Sequence, residues 1–375
     1  MKRKICFIIN QPLIGGAELF LLKLTEYISQ YASCHIVFLN PDGPLFEKFA
    51  NGNKKVHFVK FSKNPLSYFR EFLRLRRLLK LISPDIVHTW LYMSDFSGGL
   101  AAYTLRKPKL YWSIRQSNVS FSQNRLHTFF IIRLCGMLSR FLPDRIISCS
   151  EVAKDVHAAN CFYKRSKIEV IPNGFDTKKL RFNNDDRNKF RKELGIQKGK
   201  ANIIGFIGRY DVQKGVDNFI NIAKLIREEI KDSSFVFVGP GCASDNEELM
   251  ALMQTSGISE VSYLLGSRND VQAILSGIDL LIIPSRGEAF PNILGEAMSV
   301  GTPVVTTNVG EIPIILQDIQ ACFVPGDNLN MAKAAVGLLR MDESSLKRYS
   351  SILRERIIER YNYEMVMEMY KEAYT

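Results

Sequence analysis

Apolar residues fall in short unbroken runs separated by longer amphipathic stretches along the whole chain. Lys4–Ile9 is a continuous apolar run, Gly15-Gly16 makes a turn, and residues 17–29 carry Leu21, Leu22, Leu24 and Ile28 at helical spacing. The same alternation predicts strands at residues 35–39, 56–59, 85–88, 109–113, 145–149 and 168–171, with helices between them. Strands that are apolar throughout suit a parallel sheet covered on both faces and built from βαβ units. Pro172-Asn173-Gly174-Phe175-Asp176 and the polar run Asn183-Asn184-Asp185-Asp186 interrupt the alternation and read as a linker. The pattern restarts with strands at 202–208, 234–239, 261–265, 279–284, 302–306 and 321–324. It predicts an α/β protein of two Rossmann-like doubly wound domains, residues 1–175 and 180–357, facing each other across a cleft. Residues 344–370 are a long, charged stretch that is helical by composition, and 358–375 are expected to pack back on the first domain.

Composition fits this picture. The chain has 375 residues, 46% of them hydrophobic and 23% charged, which suits two ordinary globular domains. No run reaches the roughly 18 apolar residues a membrane-spanning helix needs. Met1-Lys2-Arg3-Lys4 and the apolar run after it look like a leader, but Asn10 and Gln11 interrupt it, so a cytoplasmic protein is expected. Seven cysteines, an odd number without a CxxC pair, fit a reducing compartment. Five histidines are spread too thinly for a multi-ligand metal site, and no metal is expected. A net charge of +12 calls for an anionic partner: nucleic acid, a phosphorylated small molecule or a membrane surface.

The strongest local chemistry lies after residues 279–284, where Ser285-Arg286-Gly287-Glu288-Ala289-Phe290-Pro291-Asn292 leads into a helix through Glu296. Pro291 suits the first helical position. Backbone N–H groups of Ala289 to Asn292 at a helix start favour a phosphate, because the unsatisfied donors and the dipole act together. Glu288 and Glu296, eight positions apart, can hold two hydroxyl-bearing parts of one ligand. Each alone reads as a solvated carboxylate, but Glu296 lies among small residues that pack inward, and a buried carboxylate requires partners. Residues 202–208 deliver Arg209 and Lys214 to the carboxyl edge of the second sheet, and a fork plus a point charge suit a diphosphate. Gly15-Gly16-Ala17-Glu18 lacks the GxGxxG spacing, so it reads equally as a plain turn or as a place where a ligand approaches the backbone. Two further strand ends carry His88, Thr89 and Trp90, and Arg115 to Asn118. A lone histidine there is more often structural than a proton carrier.

Together these residues resemble the GT-B fold glycosyltransferases, and within them family 4, retaining enzymes that use nucleotide sugars. The matching segments are Gly15-Gly16-Ala17-Glu18, Ile171 to Asp176, Gly208-Arg209 to Lys214-Gly215, Pro284-Ser285 to Glu296-Ala297-Met298, and Gly301-Thr302-Pro303-Val304-Val305. The resemblance implies that Arg209 and Lys214 bind the donor diphosphate, that Glu288 binds the donor sugar and that Glu296 holds the ribose. It further implies backbone contacts from Ala289, Phe290, Pro291 and Asn292, and a close approach to the donor phosphate at Gly16. The catalytic set is then Glu288, Arg209, Lys214 and His88. Gly15, Trp90 and Arg115 stand on the acceptor side. Family members often carry His-x-His after the fourth strand; here the sequence reads His88-Thr89-Trp90. Gly310-Glu311 stands where Gly-Gly or Gly-Asp is common, which leaves the donor sugar open.

The remaining positive charge concentrates in two segments of the first half. Lys63, Arg70, Arg74, Arg76, Arg77 and Lys80 accompany Phe69, Phe72, Leu73, Leu75, Leu78, Leu79 and Leu81, and residues 125–142 combine Arg125, Arg133 and Arg140 with Phe129, Phe130, Ile131 and Ile132. Both suit amphipathic basic helices on an anionic membrane surface, or equally helices that bury an apolar stripe on the sheet. The expected function is transfer of a sugar from a nucleotide sugar, UDP-linked and without a cofactor, to a lipid-diphosphate-linked or oligosaccharide acceptor in bacterial surface polysaccharide synthesis (O-antigen or capsule). The enzyme would work peripherally at the inner face of the cytoplasmic membrane. A nucleotide-sugar epimerase of the same fold, or a non-catalytic basic nucleotide or nucleic-acid binder, are the alternatives. Nothing in a nucleic-acid module accounts for the Glu288 and Glu296 pair, so no nucleic acid is expected.

Overall fold

The structure, a computed structural model, describes residues 2–61, 64–119, 126–196, 201–317 and 321–375. Two compact units emerge: Met1–Asn173 with Val366–Thr375, and Gly174–Met365. The boundary falls two residues before the expected end of the first domain, and the returning segment starts at Val366 rather than 358.

The first unit carries strands β1 (Lys4–Ile9), β2 (Ser33–Phe38), β3 (Lys55–Phe58), β4 (Ile86–Trp90), β5 (Lys109–Ile114), β6 (Arg145–Ser148) and β7 (Ile168–Val170). Helices α1 (Gly16–Ile28), α2 (Phe46–Ala50), α3 (Pro65–Ile82), α4 (Tyr92–Tyr103), α5 (Leu126–Leu138) and α6 (Glu151–Asn160) fill the crossovers. The strands are parallel in the order β3-β2-β1-β4-β5-β6-β7. Five consecutive residues of β1, Ile5 to Ile9, are buried, because both faces of a central parallel strand are covered.

The second unit holds α7 (Asn184–Glu193), β8 (Asn202–Ile207), α8 (Val216–Glu229), β9 (Ser233–Val238), α9 (Glu247–Thr255), β10 (Ser262–Leu264), α10 (Val271–Gly277) and β11 (Leu280–Ile283). There follow α11 (Asn292–Val300), β12 (Val304–Thr307), α12 (Ile312–Leu316), β13 (Cys322–Phe323), α13 (Asn328–Leu339) and α14 (Glu343–Arg360). Its strands are parallel in the order β10-β9-β8-β11-β12-β13. Both sheets therefore reverse direction beside their first strand, and such a switch point opens a crevice outside the carboxyl ends of two neighbouring strands. In the second unit those strands are β8 and β11.

Two features go beyond what composition shows. Residues 344–370 are not one helix: α14 stops at Arg360 and α15 (Tyr363–Ala373) begins after a break. At the break the Phe175 N–H donates to the Tyr361 carbonyl at 2.8 Å, and the Tyr363 N–H donates to the Phe175 carbonyl at 3.0 Å. This two-sided pairing makes a single parallel bridge between Phe175 and Asn362, which interrupts the helix there. The basic helices are also less uniform than their composition suggests. On α3, Leu75, Leu79 and Ile82 are buried while Leu66, Phe69 and Leu81 are exposed, and Glu71 is buried under Arg70 and Arg74. On α5, Phe130 is exposed and the Arg133 guanidinium stacks 3.5 Å from the Phe129 ring centre. Lys63 and Arg125 lie outside the described residues.

Candidate active site

In the second unit, β8 ends at Ile207 and the chain passes Gly208 and Arg209 into a short turn at Val212–Lys214. Asp211 caps that turn, accepting from the Gln213 N–H at 2.8 Å. Gly215 then takes the left-handed conformation, φ 69°, and a methyl group there would overlap the Pro284 carbonyl. Only glycine allows the start of α8 to approach the end of β11 so closely.

The loop after β11 meets this turn. Lys214 Nζ lies 2.7 Å from Glu288 Oε1, and Ser285 Oγ donates to the same carboxylate oxygen at 2.8 Å. Glu288 is 7% exposed, so the expectation of a solvated loop carboxylate fails for it. Five further bonds tie the two loops and the start of α8 together. The Arg286 N–H donates to the Gln213 carbonyl at 2.7 Å, and Gln213 Nε2 returns a bond to the Gly287 carbonyl at 2.8 Å. Arg286 Nη1 reaches the Val212 carbonyl at 2.8 Å, and its guanidinium grips Asp217 through both terminal nitrogens. The guanidinium holds the Asp217 carboxyl below the usual carboxylate range.

Beyond Glu288 the loop is pinned by aromatic contacts. Phe290 is buried, stacked near Phe175 at 6.1 Å and edge-on to Tyr361 at 5.6 Å, so its side chain anchors the loop instead of facing a ligand. Gly310, φ 56°, packs against the Glu288 carbonyl where a methyl group would overlap it, and the Glu311 N–H donates to the Ala289 carbonyl at 3.2 Å. Helix α11 starts at Asn292, with Pro291 as its cap and not its first residue, since the Pro291 ψ of 100° is extended. Proline has no N–H, so Ala289, Phe290 and Asn292 are the backbone donors of this stretch. Glu296, on the second turn of α11, is half-buried and not enclosed as its small neighbours suggested, because Leu294, Ala297 and Met298 take the inward face. Arg209 is exposed at the carboxyl end of β8, without a side-chain partner among the described residues.

The first unit gathers its own predicted residues in another way. His88 is the middle residue of β4, fully buried, because that strand runs two residues further than the sequence pattern suggested. Its Nδ1 lies 2.7 Å from the Tyr374 hydroxyl. Burial and the nearby Arg115 charge push its pKa well below the ordinary histidine value, so it stays neutral. Trp90 is also fully buried, and the Arg115 guanidinium lies 4.0 Å from its ring centre. Arg115 spends its donors on Ser113 at 2.8 Å, Asn173 at 3.1 Å and the Tyr370 hydroxyl. The expected placement of His88 at a strand end is thus corrected: His88, Trp90 and the half-buried Arg115 form a packed network with Tyr370 and Tyr374. Gly15 caps α1 and Gly16 is its first residue, both with unstrained backbones at the carboxyl side of β1.

Sequence reasoning missed Ser285, Gln213, Arg286 and Asp217. Ser285 had a readable signal, a hydroxyl three residues before Glu288 in the same turn. The bond between Arg286 and Asp217 joins positions 69 apart and leaves no local trace.

Comparison with known proteins agrees with this architecture. A model of Glycosyltransferase Family 4 matches residues 14–179, and one of Glycosyl transferases group 1 matches residues 201–341. The Escherichia coli UDP-Gal:α-D-GlcNAc-diphosphoundecaprenol α-1,3-galactosyltransferase is 25% identical, over 100% of this chain and 97% of that protein. The Staphylococcus aureus capsular polysaccharide biosynthesis glycosyltransferase CapM is 21% identical, over 97% and 93%. Among solved structures, Anabaena HepE in complex with UDP-glucose superimposes with a TM-score of 0.85 at 19% identity, over 99% of this chain and 98% of that one. With two family models spanning both sheets and neighbours that share the GT-B fold, the chain belongs to the family 4 glycosyltransferases and is a glycosyltransferase.

Proposed function

We propose that the protein transfers a hexosyl or N-acetylhexosaminyl unit from a UDP-sugar to a lipid-diphosphate-linked acceptor in surface polysaccharide assembly, with retention at the anomeric carbon. The observation that carries this reading is the Lys214 and Glu288 pair, set beside exposed Arg209 and the start of α11 at the switch point of the second sheet. As the sugar leaves, negative charge grows on the diphosphate, and preorganised cations and backbone donors stabilise it there. Arg209 and Lys214 supply the cations, and Ala289 and Asn292 supply N–H groups. Glu288, fixed by Lys214 and Ser285, accepts from sugar hydroxyls, and Glu296 accepts from the ribose. No metal is assigned a role in this scheme.

The acceptor class rests on the lipid-linked acceptor of the E. coli relative, and on the exposed Leu66 and Phe69 of α3, set beside the exposed Arg70 and Arg74. Such a face suits an anionic membrane surface.

The test is incubation of labelled UDP-sugars with and without a polyprenyl-diphosphate-linked acceptor, followed by NMR of the product. Donor consumption that requires acceptor, with the donor anomeric configuration kept, supports the reading. Conversion of donor without acceptor would point to an epimerase, and an inverted centre would remove the retaining mechanism.

A further inference from the structure

We propose that the first unit carries a second anion site, a pocket for phosphate groups at the amino-terminal edge of its sheet, on the edge opposite to that of the strand ends Ile9 and Trp90. A dent of about 390 Å³ opens between the end of α3 and the end of α4 and is lined by Arg76, Lys80, Ser83, Thr104 and Lys107. That volume lies within the range of small-molecule sites, roughly 300–1,000 Å³.

The charge at this place is unbalanced. Arg76 donates only to the Thr104 hydroxyl at 3.2 Å, and Lys107 only to the Ser83 hydroxyl at 2.6 Å. Lys80 has no side-chain partner, and no carboxylate lines the dent among the described residues. Arg77 and Arg106 are exposed close by in sequence and also lack a carboxylate partner among them. The Thr104 hydroxyl already gives its proton to the Ala101 carbonyl at 2.8 Å, whereas Ser83, which accepts from Lys107, keeps its own proton to donate to an acceptor-rich guest.

The ordinary explanation for cations here is neutralisation of helix ends, since α3 and α4 both finish at the dent. Each end carries roughly half a negative charge. Two ends therefore offset about one of the three lining cations, and a net positive field remains. A doubly charged phosphate group fits that remainder, whether it belongs to a soluble diphosphate or to an anionic lipid headgroup. The sequence showed only the α3 half of this cluster; folding brings Lys107 of the α4–β5 turn to it.

The experiment is calorimetric titration of the full chain with inorganic pyrophosphate, in an R209A/K214A background so that the proposed donor cations do not compete. The pocket variant is R76Q/K80Q/K107Q. The control is K48Q/R140Q/K164Q, which removes the same charge from exposed positions elsewhere on the first unit. Pyrophosphate should bind the background protein at low salt, and affinity should fall roughly fivefold per pocket cation, or about 10²-fold in the triple variant. The control should keep its affinity, and thermal midpoints should match. A second arm sediments wild type and the pocket variant with phosphatidylglycerol or phosphatidylcholine vesicles. Loss of phosphatidylglycerol binding in the pocket variant, reproduced by added pyrophosphate, assigns the site to lipid headgroups; unchanged vesicle binding assigns it to soluble phosphates. Equal losses in pocket and control variants, or no pyrophosphate binding in the background protein, would overturn the proposal.

Discussion

Lys214 Nζ lies 2.7 Å from Glu288 Oε1, an ion pair between two loops that are 74 residues apart in sequence. With Glu288 buried and Lys214 a quarter exposed, the pair holds one charge against the protein and offers the other to solvent. Replacing Arg209 or Lys214 by alanine should lower kcat about 10²-fold, the scale of losing one preorganised electrostatic contact. Near-normal turnover in both variants, with folding intact, would contradict the donor assignment. Lys214→Ala should also unfold more easily than Arg209→Ala, because it alone removes the cation beside a buried carboxylate.

Glu288 and Glu296 occupy different surroundings and should fail differently. Glu296→Gln is expected to weaken free UDP about tenfold, the scale of one charge-assisted hydrogen bond. Glu288→Gln should leave UDP affinity within about twofold while turnover collapses, since the substrate contact it weakens is to the sugar, and its amide oxygen can still accept from Lys214. Calorimetry with UDP on both variants, set beside kcat, decides; equal losses of UDP affinity would refute the division of roles.

Arg286 and Asp217 touch none of the proposed substrate groups, yet they hold the loop of Lys214 against the loop of Glu288. Arg286→Lys keeps the charge but loses the two-pronged grip, and should lower kcat/KM several-fold with little change in thermal midpoint, as expected for a partly exposed pair. In a double-mutant cycle with Asp217→Ala, the two effects on kcat/KM should overlap by about 1 kcal/mol. Strict additivity would show that the grip does not act as a unit.

His157 is buried in the first unit, with Nδ1 2.7 Å from the Ala153 carbonyl and Nε2 2.7 Å from the Tyr92 hydroxyl. The neutral ring satisfies both by donating from Nδ1 and accepting at Nε2, and burial lowers its pKa to about 4. The unfolded chain, with an ordinary value near 6.5, binds the proton first, so stability is present above about pH 6.5 and drains as pH falls towards 4. By pH 5 this one group should cost about 2 kcal/mol. Urea unfolding at pH 7 and pH 5 should show the loss in wild type and a smaller one in His157→Gln. An equal pH dependence in the two would show that other groups control it.

The thirteen apolar runs mark the thirteen strands of the described residues, because the central strands are covered on both faces and carry mostly apolar residues. Errors arose where burial alone does not decide. His88 and Thr89 are polar, so β4 seemed to stop early; the structure continues the strand by giving His88 a tyrosine hydroxyl and Thr89 the Asp95 carboxylate as partners. Lys214 and Glu288 were readable as separate signals on neighbouring strand ends. Their contact was not, since it depends on Gly215 and on the Arg286 grip. The C-terminal tyrosines were invisible for the same reason: Tyr370 and Tyr374 look like any helix aromatics until Arg115 and His88 are known to need them.

Because Val366–Thr375 belongs with Met1–Asn173, the first unit is not a contiguous gene segment. During synthesis its first 173 residues are made before Tyr370 and Tyr374 exist, so Arg115 and His88 wait for the Val366–Thr375 segment. Exchange of units between related enzymes would accordingly need two crossover points, and a truncation after Met365 would leave the second unit whole while opening the interior of the first.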